Sequence, residues 1–122
     1  MDCWRLTALC ETWKVVAKMS PLSCCRRDRP IVSGYSGQIR DLVVDWTEVA
    51  RTLDVDAITS IVWDRAAEDT VGDATIGVSA FEGWESTVRV TVGTIRTVVE
   101  GLATFRGGQT ARMCVTVCVS NR

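Results

Sequence analysis

The most constraining stretch of this 122-residue chain is its last dozen residues. From Thr110 the sequence runs T-A-R-M-C-V-T-V-C-V-S. Ala111, Met113, Val115, Val117 and Val119 fall on one parity; Arg112, Cys114, Thr116, Cys118 and Ser120 fall on the other. Side chains alternate across a strand, so the first set predicts a core face and the second an outer face. Both cysteines are thereby expected where water or a partner would meet them. Gly107-Gly108 ahead of this strand predicts a tight turn from a long strand over Thr94–Phe105.

Other segments carry the same signature. Leu42, Val44 and Trp46 share a parity in the stretch from Gln38 to Trp46, the expected first strand of the body. Asp45, with Glu48 three residues on, has the form of a helix start and predicts one helical turn over Trp46–Leu53. Ala57–Trp63, Ala74–Ala80 and Thr87–Val92 read as further short strands, with a turn at Gly83-Trp84. Asp64–Asp73 is an acidic loop, and Ser33-Gly34-Tyr35-Ser36-Gly37 a turn cluster. Short strands without βαβ alternation predict an all-β β-sandwich.

Residues 1–30 have a different texture and read as an N-terminal arm on a body of residues 31–122. The arm holds six basic groups, among them Arg26, Arg27 and Arg29, against three acidic ones, whereas the body holds eight basic and twelve acidic. A basic arm on an acidic body points to docking on another acidic surface, a second copy included. Trp4, Leu6, Leu9, Cys10, Trp13, Val16 and Ala17 fit a short amphipathic helix capped by Asp2, with an extended arm equally open. Trp4 and Trp13 are expected to pack on this domain or on a neighbour, and with the three arginines they are the candidate interface residues.

The chain has no histidine, which removes the commonest general base and metal ligand together. No catalytic constellation, cofactor or metal site is expected. Asp54-x-Asp56 and the acidic loop lack the ligand density and glycine placement of a calcium loop. Gly107-Gly108-Gln109 reads as a hairpin turn. The balanced net charge of −1 calls for no nucleic acid, and no stretch is long and apolar enough to predict a membrane span.

Six cysteines are the chemistry that remains: Cys3, Cys10, Cys24, Cys25, Cys114 and Cys118. Their spacings make no zinc knuckle. On one strand, Cys114 and Cys118 stand about 13 Å apart at 3.3 Å per residue, too far for a disulfide, which needs Cα atoms within about 7 Å. Each therefore stays free or takes a partner elsewhere, and the arm offers four. The resulting expectation is an arm stapled to the outer face of the last strand, in its own subunit or a neighbour.

The run Asp41-Leu-Val-Val-Asp-Trp46, followed by Leu53-x-x-Asp56-x-Ile58-x-Ser60-x-x-Trp63, resembles the start of a small immunoglobulin-like module in virion proteins of tailed bacteriophages. Ser86–Val92, Thr94–Phe105, Gly107-Gly108 and Thr110–Val119 follow in that family's order. The resemblance covers about residues 38–119. It departs in the short link Gly93-Thr94 and in a long strand lacking the family's aromatics. It implies an immunoglobulin-like fold and a non-enzymatic, capsid-decorating or linking virion protein made in the host cytoplasm, or a neck or tail fibre adaptor. Its partners would be other virion proteins, from capsid, neck or tail, and copies of itself. Two other classes compete: a module binding a receptor or carbohydrate through Trp84, and a cysteine-based redox or metal sensor.

Overall fold

The computed structural model describes residues 12–17 and 30–120. Among the described residues, eight strands are built from the β-branched runs: β1 (Thr12–Val16), β2 (Ile31–Tyr35), β3 (Ile39–Asp45), β4 (Ile58–Arg65), β5 (Thr75–Glu82), β6 (Glu85–Thr91), β7 (Thr97–Phe105) and β8 (Thr110–Ser120). One helix, α1 (Thr47–Leu53), lies between β3 and β4. The strands form two four-stranded sheets, ordered β1-β3-β6-β5 and β2-β8-β7-β4. Their apolar faces close on each other as a β-sandwich.

The core follows the parity of the sequence. Leu42, Val44 and Trp46 are fully buried, as are Val88, Val90 and Val92 from the β6 side. Val99, Ala103 and Phe105 of β7 meet Ala111, Met113, Val115 and Val117 of β8 in the same cluster. The Trp46 indole Nε1 donates to Ser86 Oγ at 3.0 Å, so the one polar atom of this buried ring is satisfied.

Local chemistry fixes the boundaries. Asp45 Oδ1 accepts both the Thr47 N–H (2.9 Å) and the Thr47 hydroxyl (2.6 Å), so α1 opens at Thr47, one residue later than the sequence placed it. Asp54, left-handed at φ 58°, ends it. Gly107 and Gly108 both have positive φ in the β7–β8 turn, a region glycine enters without steric cost.

The structure decides one reading left open and departs from the sequence at two other places. Of the two conformations open to the arm, Thr12–Val16 is extended: it pairs parallel with β3, and Trp13 and Ala17 belong to the core cluster. Ser33-Gly34-Tyr35, read as part of a turn cluster, is instead the end of β2, pairing parallel with β8. The turn itself is confined to Ser36-Gly37, since an edge strand needs only one bonded neighbour to hold it extended. Finally, β7 begins at Thr97 rather than Thr94, because the N–H groups of Thr94 and Ile95 turn away to the Asp73 carboxylate.

Candidate interaction surface around the last strand

β8 is an interior strand of its sheet, flanked by β2 and β7. Register therefore defines what surrounds each outer-face residue. Cys114 lies beside Glu100, Thr116 between Val98 and Ile31, and Cys118 beside Ser33. The Thr116 N–H donates to the Pro30 carbonyl at 2.9 Å, which brings the chain entering β2 directly against β8.

The parity of both cysteines is as read, but where water or a partner was expected, Cys114 is covered by its own chain. Cys114 has no exposed surface; it forms a small dry cluster with Ala66 and Val98 outside the main core. Thr116 is buried as well. The Ala66 N–H donates to the Val98 carbonyl (2.8 Å), folding the end of β4 onto this face. Alternation gives direction only, and here the outward direction is covered. Cys118 is half-buried with a free thiol, whereas Cys114 is not free. Around the dry centre lie exposed apolar side chains: Ile31 at 68%, Val62 at 61% and Tyr35 at 44%. Arg112 Nε meets Glu100 Oε2 at 2.8 Å on the same face.

Trp13 packs back on its own domain. Its Nε1 donates to the Ser33 carbonyl at 3.1 Å, tying the edge of one sheet to the edge of the other. The Arg40 guanidinium, itself buried, stands 5.7 Å from the Trp13 ring centroid and donates to Gln38 Oε1 at 3.0 Å. Trp4, Arg26, Arg27, Arg29, Cys3, Cys10, Cys24 and Cys25 lie outside the described residues. Trp84 is partly buried and packs on the core, its ring centroid 6.4 Å from that of Phe105. Part of its ring is thus spent on packing.

The acidic loop holds two residues whose role sequence reasoning missed. Asp69 accepts the N–H groups of Val71 and Gly72 through Oδ1 and that of Val98 through Oδ2. Asp73 accepts the Thr94 and Ile95 N–H groups and the Thr94 hydroxyl. Together they clasp the β4–β5 loop to the β6–β7 connection and to the start of the β7 backbone at Val98. Burial pushes the Asp69 carboxyl up, but the N–H groups of Val98, Gly72 and Val71 and the charge of Arg65 outweigh it, leaving it below the usual value. Asp73 is held low chiefly by the Thr94 hydroxyl, then by the Ile95 and Thr94 N–H groups. Asp-x-x-Gly at Asp69–Gly72 was the available signal, since Asp bonds its own backbone two or three residues on. A β-carbon at Gly93 would stand 2.7 Å from the Asp73 carbonyl carbon, so the second clasp requires glycine there.

Among the described residues no three His, Cys, Asp or Glu side chains gather as a metal site, and no helix is long and apolar enough to cross a membrane. No family model and no curated protein matches this chain.

Proposed function

We propose that this chain is a non-enzymatic structural protein of a tailed-bacteriophage virion, decorating or linking capsid subunits through its arm and the outer face of β8. The observation that carries the reading is the Thr116–Pro30 hydrogen bond. It delivers the arm to the strand that bears both body cysteines. Cys25 is five residues before Pro30, a reach of up to about 17 Å. Cys114 is two residues from Thr116, about 7 Å along the strand. Cys24 and Cys25 are therefore within range of Cys114, in this subunit or an adjacent one. Formation of such a bridge releases two protons and two electrons, which dissolved oxygen accepts once particles leave the reducing host.

The strand order of the body supports the resemblance to immunoglobulin-like virion modules: the Asp-Trp strand, the helical turn, the Ser-containing strand and the glycine-turned final hairpin occur in that sequence. A fibre-to-tail adaptor is the second reading, favoured by a second open edge. β5 lies at the other end of its sheet from β1, and only Ile76 among its residues is not exposed; Val78 reaches 77%. A body with an arm at one edge and a bare strand at the other can bridge two partners.

Deleting the gene from the encoding phage tests the reading. Decoration predicts particles that form but lose genome on mild heating, and the adaptor predicts particles without fibres. Particles unchanged in stability, fibre content and infectivity would refute both.

A further inference from the structure

β1 lies at the edge of its sheet and runs parallel to β3. β2 reverses into β3 through the Ser36-Gly37 turn, closed by the Gln38 N–H on the Tyr35 carbonyl at 2.9 Å. The Trp13–Ser33 hydrogen bond puts β1 and β2 side by side. Ala17 and Pro30 therefore leave the sandwich at the same end, where a connection of a few residues would serve. The sequence supplies twelve, residues 18–29, with a span of up to about 45 Å.

The seat that β1 occupies is shaped for a single anchor. The Trp13 indole lies over Gly34, where a β-carbon would stand 3.4 Å from ring atom Cζ2. Arg40 stands over the ring and the Ser33 carbonyl receives its N–H. Ala17, fully buried, donates its N–H to the Asp45 carbonyl at 2.9 Å and closes the far end. All of these contacts are made between β1 and residues 33–45, and none depends on which chain β1 comes from.

We propose that this seat is an intersubunit docking site, and that its occupant in an assembly is strand Thr12–Val16 of a second copy of this chain. The donor and own-chain arrangements make identical contacts in the seat. Concentration then decides between them: a tether of this length holds its own strand at an effective concentration of about 1 mM. Dilute chains are closed, and subunits packed side by side on a shared surface exchange. The proposal holds whether or not that surface is a virion.

The test uses full-length chain throughout. A photo-crosslinking residue replaces Lys14, which lies beside Val43 on the outer face of the first sheet. This light chain is mixed with an equal amount of isotopically heavy wild type under reductant, irradiated, and its β1–β3 cross-links are read by peptide mass. At a total of about 1 mM, about a quarter of the links should join light β1 to heavy Asp41–Asp45; at micromolar concentration nearly none should. Adding Trp13→Ala to the light chain should abolish the heavy links, and the same probe at Thr12, facing Asp41, controls for a fault in the first variant. Links confined to light β3 at every concentration, with undiminished yield, would overturn the proposal. Heavy links scattered outside β3, or unaffected by Trp13→Ala, would overturn it equally. Absence of the protein from particles would leave this result untouched, so the two readings fail separately.

Discussion

Gly101 of β7 lies beneath the indole of Trp63 on the neighbouring strand β4, so closely that a β-carbon there would stand 2.7–2.8 Å from three ring carbons. The two residues are register partners, and the ring takes the volume that a side chain at Gly101 would fill. Gly101→Ala should cost about 2–3 kcal/mol through overpacking. In a double-mutant cycle with Trp63→Leu the costs should fall short of additive, because the smaller side chain makes room. Urea unfolding of the four proteins checks this; additive losses would contradict the contact.

Trp46 and Ser86 form the second internal pair, with both residues fully buried. Trp46→Phe leaves the Ser86 hydroxyl without its donor and opens a cavity, and should cost about 2–4 kcal/mol. Ser86→Ala removes the acceptor alone and should cost about 1–3 kcal/mol. Thermal denaturation of the two variants orders them.

The clasp of Asp69 and Asp73 sets an acid limit. Both carboxyls, with Asp45, titrate below the usual value in the folded chain. Folded-state values depressed below unfolded ones give stability that is present above about pH 4 and is lost as pH falls through the folded values. The urea midpoint should therefore fall steeply below about pH 4. Asp69→Asn with Asp73→Asn should lower the midpoint at pH 7 and flatten the fall. A variant as steep as wild type would place the acid sensitivity elsewhere.

The two body cysteines should react differently. Under native conditions Cys118, half-buried with a free thiol, should alkylate, while buried Cys114 should stay unmodified until the chain is denatured and reduced. Peptide mass spectrometry reads each site. Equal native labelling would contradict the covered face.

Most of the sandwich was legible because strand parity is a local signal. Leu42, Val44, Val115 and Val117 announce their side of the sheet by spacing alone. The turn at Gly107-Gly108 and the start of α1 just after Asp45 rest on backbone chemistry that two or three residues determine. What was not legible depends on distant partners. Nothing local to Thr12–Val16 says that β3 lies open beside it, and Ser33–Tyr35 is a strand only because β8 pairs with it. Cys114 has the right parity for an outer face, yet Ala66, far off in sequence, helps to cover it. The Asp73 clasp spans to Thr94 and Ile95, beyond any short motif.

The role proposed for this protein is that of a structural virion component whose arm is joined covalently to the outer face of β8. Quantitative mass spectrometry of salt-washed particles of the encoding phage, with non-reducing and reducing gels of the same sample, tests it most directly. The account predicts a fixed copy number per particle and an arm–Cys114 disulfide peptide in the unreduced sample, with any intersubunit bridges collapsing to monomer on reduction. Absence of the chain from washed particles, or a fully reduced chain within them, would contradict it.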